Sequence, residues 1–238
     1  MSSPRFGILA WEKGKVSRGL LQLESLKGNS TNLDTYDFPV RIERVPGACR
    51  KTVVTEPDPG VLDRMIEIAR RMESEGVRCI TTSCGFNAIF QREVSRSIRI
   101  PFFSSSLLQI PFLRAMFGPD RPIMVLTASK KSLKPEHFEA TGTTDLDHLP
   151  VYGMREDCEQ WGRMKDFDAE IDLDLLTRQF LEIALRAFKE NPSAAAFLFE
   201  CTDMPPFSED VRKATGLPVF DFVTMAQYVY RSIVQNQY

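Results

Sequence analysis

Histidine is almost missing: the 238-residue chain has two, His137 and His148, and neither lies near a cysteine in sequence. Zinc sites want His or Cys in close pairs. Cys79 and Cys84 are poorly spaced for one, since Cys79 falls inside an apolar strand, so no metal is expected. No Gly-x-Gly-x-x-Gly follows a strand and no Gly-x4-Gly-Lys phosphate loop occurs. There is no excess of positive charge either. Lys+Arg number 30 against 32 Asp+Glu, a net charge of −2, which argues against a nucleic-acid partner. Long apolar runs are missing too. The longest notable uncharged run, residues 100–113, is broken by Pro101 and Pro111, whereas a membrane span needs about 20 apolar residues. The first residues lack the apolar core of a signal peptide, and the expectation is a cytoplasmic protein without membrane contact. The 5 cysteines are an odd, widely spaced set, read as reduced thiols. A chain of this length buries roughly 70–75% of its unfolded surface and needs no staples.

What is present is an alternation of short apolar runs with helical patterns. Strands are expected at Phe6–Ala10, Val77–Ser83, Ile100–Ser104, Pro122–Thr127, Ala194–Phe199 and Pro218–Phe222. Val61–Glu75 puts Leu62, Met65, Ile66, Ala69 and Met72 on one helical stripe, and Gly76 ends it. Phe86–Ser97 reads as the next helix. Leu173–Lys189 carries Leu176, Phe180, Ile183, Ala184 and Ala187 on one side. Strands separated by helices imply βαβ units and parallel sheets.

The two halves match more closely than alternation requires. Cys84 and Cys201 each stand just after a strand. Pro101 and Pro218 each follow their cysteine by 17 residues, inside Ile100-Pro-Phe-Phe and Leu217-Pro-Val-Phe. Ile66-Glu-Ile-Ala parallels Leu181-Glu-Ile-Ala, and the cysteines are 117 residues apart, close to half the chain. This is the pattern of a duplicated α/β unit, with Gly118-Pro-Asp-Arg-Pro122 as the hinge.

Ligands of open parallel sheets bind beyond the carboxyl ends of the strands, where both cysteines fall. A helix start there offers free N–H groups, which favour a thiolate and can hold a carboxylate. Two such units facing each other place two thiols across one cleft. A thiol on each face of a carbon next to a carboxylate suits removal and return of a proton. Alone, a cysteine reads as a small buried hydrophobe, and Cys79, Cys49 and Cys158 are read that way.

Thr81-Thr-Ser-Cys-Gly-Phe-Asn87 and Phe199-Glu-Cys-Thr-Asp-Met-Pro-Pro206 resemble the two cysteine motifs of the aspartate/glutamate racemase superfamily. The resemblance covers nearly the whole chain. It implies an α/β fold of two pseudo-symmetric Rossmann-like lobes with parallel sheets and the active site in the cleft between them. It also implies a first lobe of residues 1–105 plus 222–238, a second of 106–221, no cofactor, and a homodimer. Carried over, Cys84 and Cys201 become the two catalytic thiols, and Thr202 a contact to the substrate carboxylate. Gly85 and Phe86 stand where relatives have Asn-Thr, leaving backbone N–H groups there, with Ser83 and Asn87 as polar contacts. Asp203 replaces a histidine and reads equally as a helix N-cap. Trp11 and Glu12 replace an Asp-Ser pair after the first strand, Glu12 as an acidic partner and Trp11 as the wall of a bulkier pocket. Thr127 begins a turn that faces the ligand.

The function expected from the resemblance is a cofactor-independent isomerase: a racemase or epimerase of an amino acid or related small carboxylate. Its alternatives are a maleate-isomerase- or decarboxylase-type enzyme using one cysteine, and a carboxylate-binding protein without turnover.

Overall fold

The computed structural model describes residues 4–234. The ends of the first lobe as drawn above, residues 1–3 and 235–238, lie outside the described residues. Two four-stranded, all-parallel sheets repeat one topology. The first is built from β1 (Phe6–Ala10), β2 (Val40–Arg44), β3 (Cys79–Thr82) and β4 (Phe102–Phe103), in the order β2-β1-β3-β4. The second comprises β5 (Ile123–Thr127), β6 (Val151–Gly153), β7 (Ala196–Phe199) and β8 (Val219–Phe220), in the order β6-β5-β7-β8. The two-lobe α/β fold expected from the sequence is therefore present.

The central strands β1, β3, β5 and β7 are buried at every position. Helices cover both faces, so these strands read as unbroken apolar runs. Of the four edge strands, β2 and β6 were not legible. Val-Arg-Ile-Glu-Arg is half-buried throughout and carries three charges, and Val-Tyr-Gly is too short to show a period. Pro122–Thr127 and Ala194–Phe199 shorten by one and two residues, and three predicted strands shorten by three. Ile100–Ser104 contracts to Phe102–Phe103, and Val77–Ser83 to Cys79–Thr82. Pro218–Phe222 contracts to Val219–Phe220, because Asp221 caps the following helix and Phe222 begins it.

Local chemistry sets the helices. Asp58 accepts the Gly60 N–H at 2.8 Å and starts the helix Pro59–Ser74. Gly76 ends it at φ +95°, a left-handed value that only glycine adopts freely. Leu173–Glu190 begins where Asp172 accepts the Leu175 N–H at 2.9 Å, and it buries the whole predicted stripe from Leu176 to Ala187. On that stripe Phe180 stacks on Phe207 with ring centroids 4.6 Å apart. Phe86–Ser97 divides into a tight turn, Gly85–Phe90, and a helix, Gln91–Ser97. Gln91 fixes that junction: its amide donates to Phe102 O at 3.0 Å and accepts the Ser104 N–H at 2.8 Å.

The lobes interlock. The last helix, Phe222–Ile233, packs Phe222, Met225 and Ala226 against Phe6, Ile8, Cys79 and Phe103 of the first sheet. The helix Ile110–Phe117 buries Ile110 and Leu113 in one cluster with Ile123 and Val125 of the second sheet. Among the described residues no helix is long and apolar enough to cross a membrane.

Candidate active site

β3 and β7 end at equivalent points, and each delivers a cysteine. Cys84 leaves β3 in an extended conformation; the Asn87 N–H donates to its carbonyl at 3.1 Å, and the nearby Phe86 and Asn87 amides favour its thiolate. Cys201 is cradled by the Asp203 N–H, and its thiol donates to Asp203 Oδ2 at 3.6 Å. Both are nearly buried, at 8% and 7% exposure, and both line one cavity of about 230 Å³.

Two contacts fix one lobe's cysteine against the other's, and a third, within the second lobe, holds Glu200 in place. Thr202 Oγ1 donates to the Ser83 carbonyl at 2.6 Å. Glu200, fully buried, lies against Gly85 so closely that a Cβ there would sit 2.2 Å from both its carbonyl and its Oε1. Only glycine fits, which explains the Gly85 that departs from the Asn-Thr pattern. Thr127 then donates to the other Glu200 oxygen at 2.7 Å.

The cavity has two signs of charge and an aromatic wall. Arg50, Arg155, Lys15 and Lys165 line it, as do the acids Glu24 and Asp203. Trp11, Phe86, Trp161 and Phe167 supply aromatic surface. Its roof is a joint between segments of the two lobes. Arg18 N–H donates to Phe167 O at 2.9 Å, and Gln22 exchanges hydrogen bonds of 3.0 and 2.8 Å with the Ile171 backbone. A Cβ on Gly19 would meet Met164 at 2.9 Å, so this residue must be small for the roof to seat.

Burial dominates the electrostatics. It pushes the Cys84 thiol well up, helped by the Glu200 charge and opposed by the two amides. It does the same to Cys201, helped by Asp203 and Glu200. The Glu200 carboxyl is raised to about 7 by burial, and Asp203 to about 7 by burial and then by nearby Glu24. Arg155 is shifted down, by burial first and by Arg50 second.

Of the residues singled out in the sequence, Ser83, Cys84, Phe86, Trp11, Cys201 and Asp203 line the cavity. Asp203 accepts from Asn29 at 2.7 Å. Asn87 is buried behind Cys84, while Thr202 and Thr127 spend their hydroxyls on Ser83 and Glu200. Glu12 turns away: its carboxylate accepts the Gly47 N–H at 3.0 Å and stabilises the loop after β2. Arg50, Arg155, Glu24, Trp161 and Phe167 were missed. Both arginines follow the edge strands β2 and β6, the two strands that the pattern did not reveal.

No protein-family model matches the chain. Curated relatives do. A dimethylsulfoniopropionate lyase of Durusdinium sp. clade D is 31% identical over 232 residues, 93% of this chain and 76% of the relative. The chain belongs to the dimethylsulfoniopropionate lyase family. Dimethylsulfoniopropionate lyases 5 and 3 of Emiliania huxleyi are 32% and 31% identical, and the chain spans only 34% and 58% of their lengths. Solved structures share the fold. An aspartate racemase homologue of Pyrococcus horikoshii OT3 has a TM-score of 0.61 at 15% identity, covering 98% of this chain and 100% of its own. Allantoin racemase of Klebsiella pneumoniae gives 0.60 at 13% identity, covering 98% and 90%. Unliganded arylmalonate decarboxylase gives 0.55 at 17%, covering 99% and 96%. The resemblance drawn from the cysteine motifs thus holds for the fold of the aspartate/glutamate racemase superfamily. The function inferred from it does not. The relatives within the family are named lyases, which overturns the expectation of an isomerase that racemises or epimerises an amino acid. The error has a physical source: two thiols at mirrored strand ends are compatible with more than one reaction and do not specify which bond breaks.

Proposed function

We propose that the chain is a lyase acting on a small zwitterionic carboxylate, with Cys201 as the base that starts an elimination. Dimethylsulfoniopropionate, the compound in its relatives' name, carries a carboxylate at one end and a sulfonium on the carbon β to it. Cys201 sulfur takes a proton from the α-carbon. The freed C–H electron pair becomes the α–β double bond, and the β-carbon–sulfur bond breaks with its pair remaining on sulfur. Acrylate and dimethyl sulfide leave, and the proton rests on Cys201. Elimination needs one base, so the two cysteines have unequal roles.

The observation that carries this reading is the cavity itself, where two thiols meet basic, acidic and aromatic walls. Arginines suit a carboxylate. Indole faces and the Glu24–Asp203 side suit a sulfonium, as aromatic rings attract cations. Cys201 is the better base because Asp203 stands 3.6 Å away to accept its proton, whereas Cys84 has amides but no such side chain. Burial keeps both thiols protonated at rest. A bound sulfonium changes that, since a unit charge at about 4 Å and an effective dielectric near 20 is worth about 4 kcal/mol, or about 3 pKa units. The substrate thereby helps to create its own base.

The test is incubation of the purified protein with dimethylsulfoniopropionate, following dimethyl sulfide by gas chromatography and acrylate by proton NMR. Wild type forms both in equal amounts, and Cys201→Ala forms neither above the uncatalysed rate. No cleavage by wild type overturns the lyase reading; cleavage by Cys201→Ala at the wild-type rate overturns the base.

A further inference from the structure

We propose that Arg155 and the Trp11 indole N–H together form the anion subsite of this cavity and take the substrate carboxylate, in place of the amides at the strand ends. The link to a substrate rests on the lyase reading; the anion site itself does not. The strand-end groups are already engaged. The Asn87 N–H donates to the Cys84 carbonyl at 3.1 Å, the Met204 N–H to the Cys201 carbonyl at 3.2 Å, and the Thr202 hydroxyl to Ser83 O at 2.6 Å. Elsewhere on the same cavity wall, donors have no acceptor. Trp11 Nε1 and Arg155 Nε and Nη1 are buried and unpartnered. A buried donor without a partner is destabilising, and a ligand carboxylate supplies the acceptor.

The guanidinium is also uncompensated in charge. Among the described residues no carboxylate forms an ion pair with Arg155 or with neighbouring Arg50. The adjacent Glu156 is turned elsewhere, accepting from Ser129 Oγ at 2.8 Å and from the Lys130 and Lys131 N–H groups at 3.1 and 3.3 Å. Arg155 sits in the short helix Met154–Asp157, and its own N–H donates to Ala128 O at 3.0 Å, which holds it in place. Trp11 follows β1 of one lobe and Arg155 follows β6 of the other. A carboxylate held by both therefore ties the lobes together across the cavity that the two thiols line.

The sequence has only 2 tryptophans, so indole-¹⁵N labelling gives two N–H signals, and Trp11→Phe assigns them. The probe is propionate, which has the carboxylate but no leaving group. Saturable movement of the Trp11 N–H signal is expected, with affinity weakened roughly tenfold to a hundredfold in Arg155→Gln. Arg155→Lys, which keeps the charge and loses the fork, falls between them. A Trp11 signal that does not move, or moves equally in Arg155→Gln and Arg155→Lys as in wild type, overturns the subsite. Propionate binding of the expected kind without any dimethyl sulfide formation defeats the lyase reading and leaves the subsite standing. Turnover with Trp11 and Arg155 both silent does the reverse.

Discussion

Thr202 Oγ1 donates to the Ser83 carbonyl across the lobes at 2.6 Å, so the residue after one cysteine holds the residue before the other. Thr202 is fully buried, and its removal leaves the Ser83 carbonyl without that donor. Thr202→Val keeps the shape and deletes the bond. It is expected to lower stability by about 1–3 kcal/mol and kcat by about tenfold to a hundredfold, because misplacement of reacting groups by about 1 Å has that effect. Thr202→Ser should restore most of both. Urea unfolding and initial rates on the three proteins check this; a Val variant with wild-type kcat would show that the bridge does not set the thiols.

The two cysteines differ in their surroundings, and the difference is measurable. Cys201→Ala should reduce kcat by about 10²–10⁴, the range of a lost general base. Cys84→Ala should reduce it less, because that sulfur meets only backbone amides and has no carboxylate acceptor. Iodoacetamide labelling read by mass spectrometry supplies the second readout: dimethylsulfoniopropionate should accelerate alkylation of Cys201 in a Cys84→Ala background if the sulfonium draws out the thiolate.

Much of this arrangement was legible in the sequence, and the part that was not has a common cause. The central strands, both cysteines and the stripe from Leu176 to Ala187 announce themselves because burial on all sides leaves a continuous apolar signal. Arg155, Arg50 and Glu24 carry no such signal. Each is a charged residue in or at the end of a short helical segment, Arg18–Glu24, Met154–Asp157 and the turn Lys51–Thr55 capped by Arg50, too short to show a period. Gly85 was read as a departure from a motif, but its reason lies in Glu200, 115 positions away in sequence and in contact across the lobes.

That contact makes Gly85→Ala a stringent test of lobe apposition. The added Cβ would stand 2.2 Å from the Glu200 carbonyl, which is backbone and cannot rotate aside. Overpacking of this kind costs about 1–3 kcal/mol and shifts backbone. A melting temperature lowered by several degrees together with a large loss of turnover is the expected result. Unchanged stability would mean that the lobes stand further apart than described.

Glu200 gives the fold a pH signature. Its carboxyl is raised from 4.5 to about 7 in the folded protein by burial, so the folded state binds more protons than the unfolded state between those values. Its contribution to stability is therefore full below pH 4.5 and is lost as pH rises through about 7. Up to about 3 kcal/mol is involved, at about 1.4 kcal/mol per unit. Glu200→Gln, neutral at every pH, should remove that loss and unfold at higher denaturant than wild type at pH 8, with the gap closing toward pH 4. Parallel denaturation midpoints at pH 4 and pH 8 would contradict the assignment.

Asp203 makes the same chemistry visible in turnover. As acceptor of the Cys201 proton it must be ionised, and burial with Glu24 beside it places its midpoint at about 7 rather than 3.8. The acid limb of kcat/KM should accordingly rise with pH through about 7. Asp203→Asn should lose that limb and most of the rate. Glu24→Gln separates this from a general loss of structure: removing the nearby negative charge lets Asp203 ionise more readily, so the limb should move to lower pH while activity persists. A limb that stays at the same pH in Glu24→Gln, or survives in Asp203→Asn, would assign the titration to another group, with Glu200, also near 7, the next to be replaced.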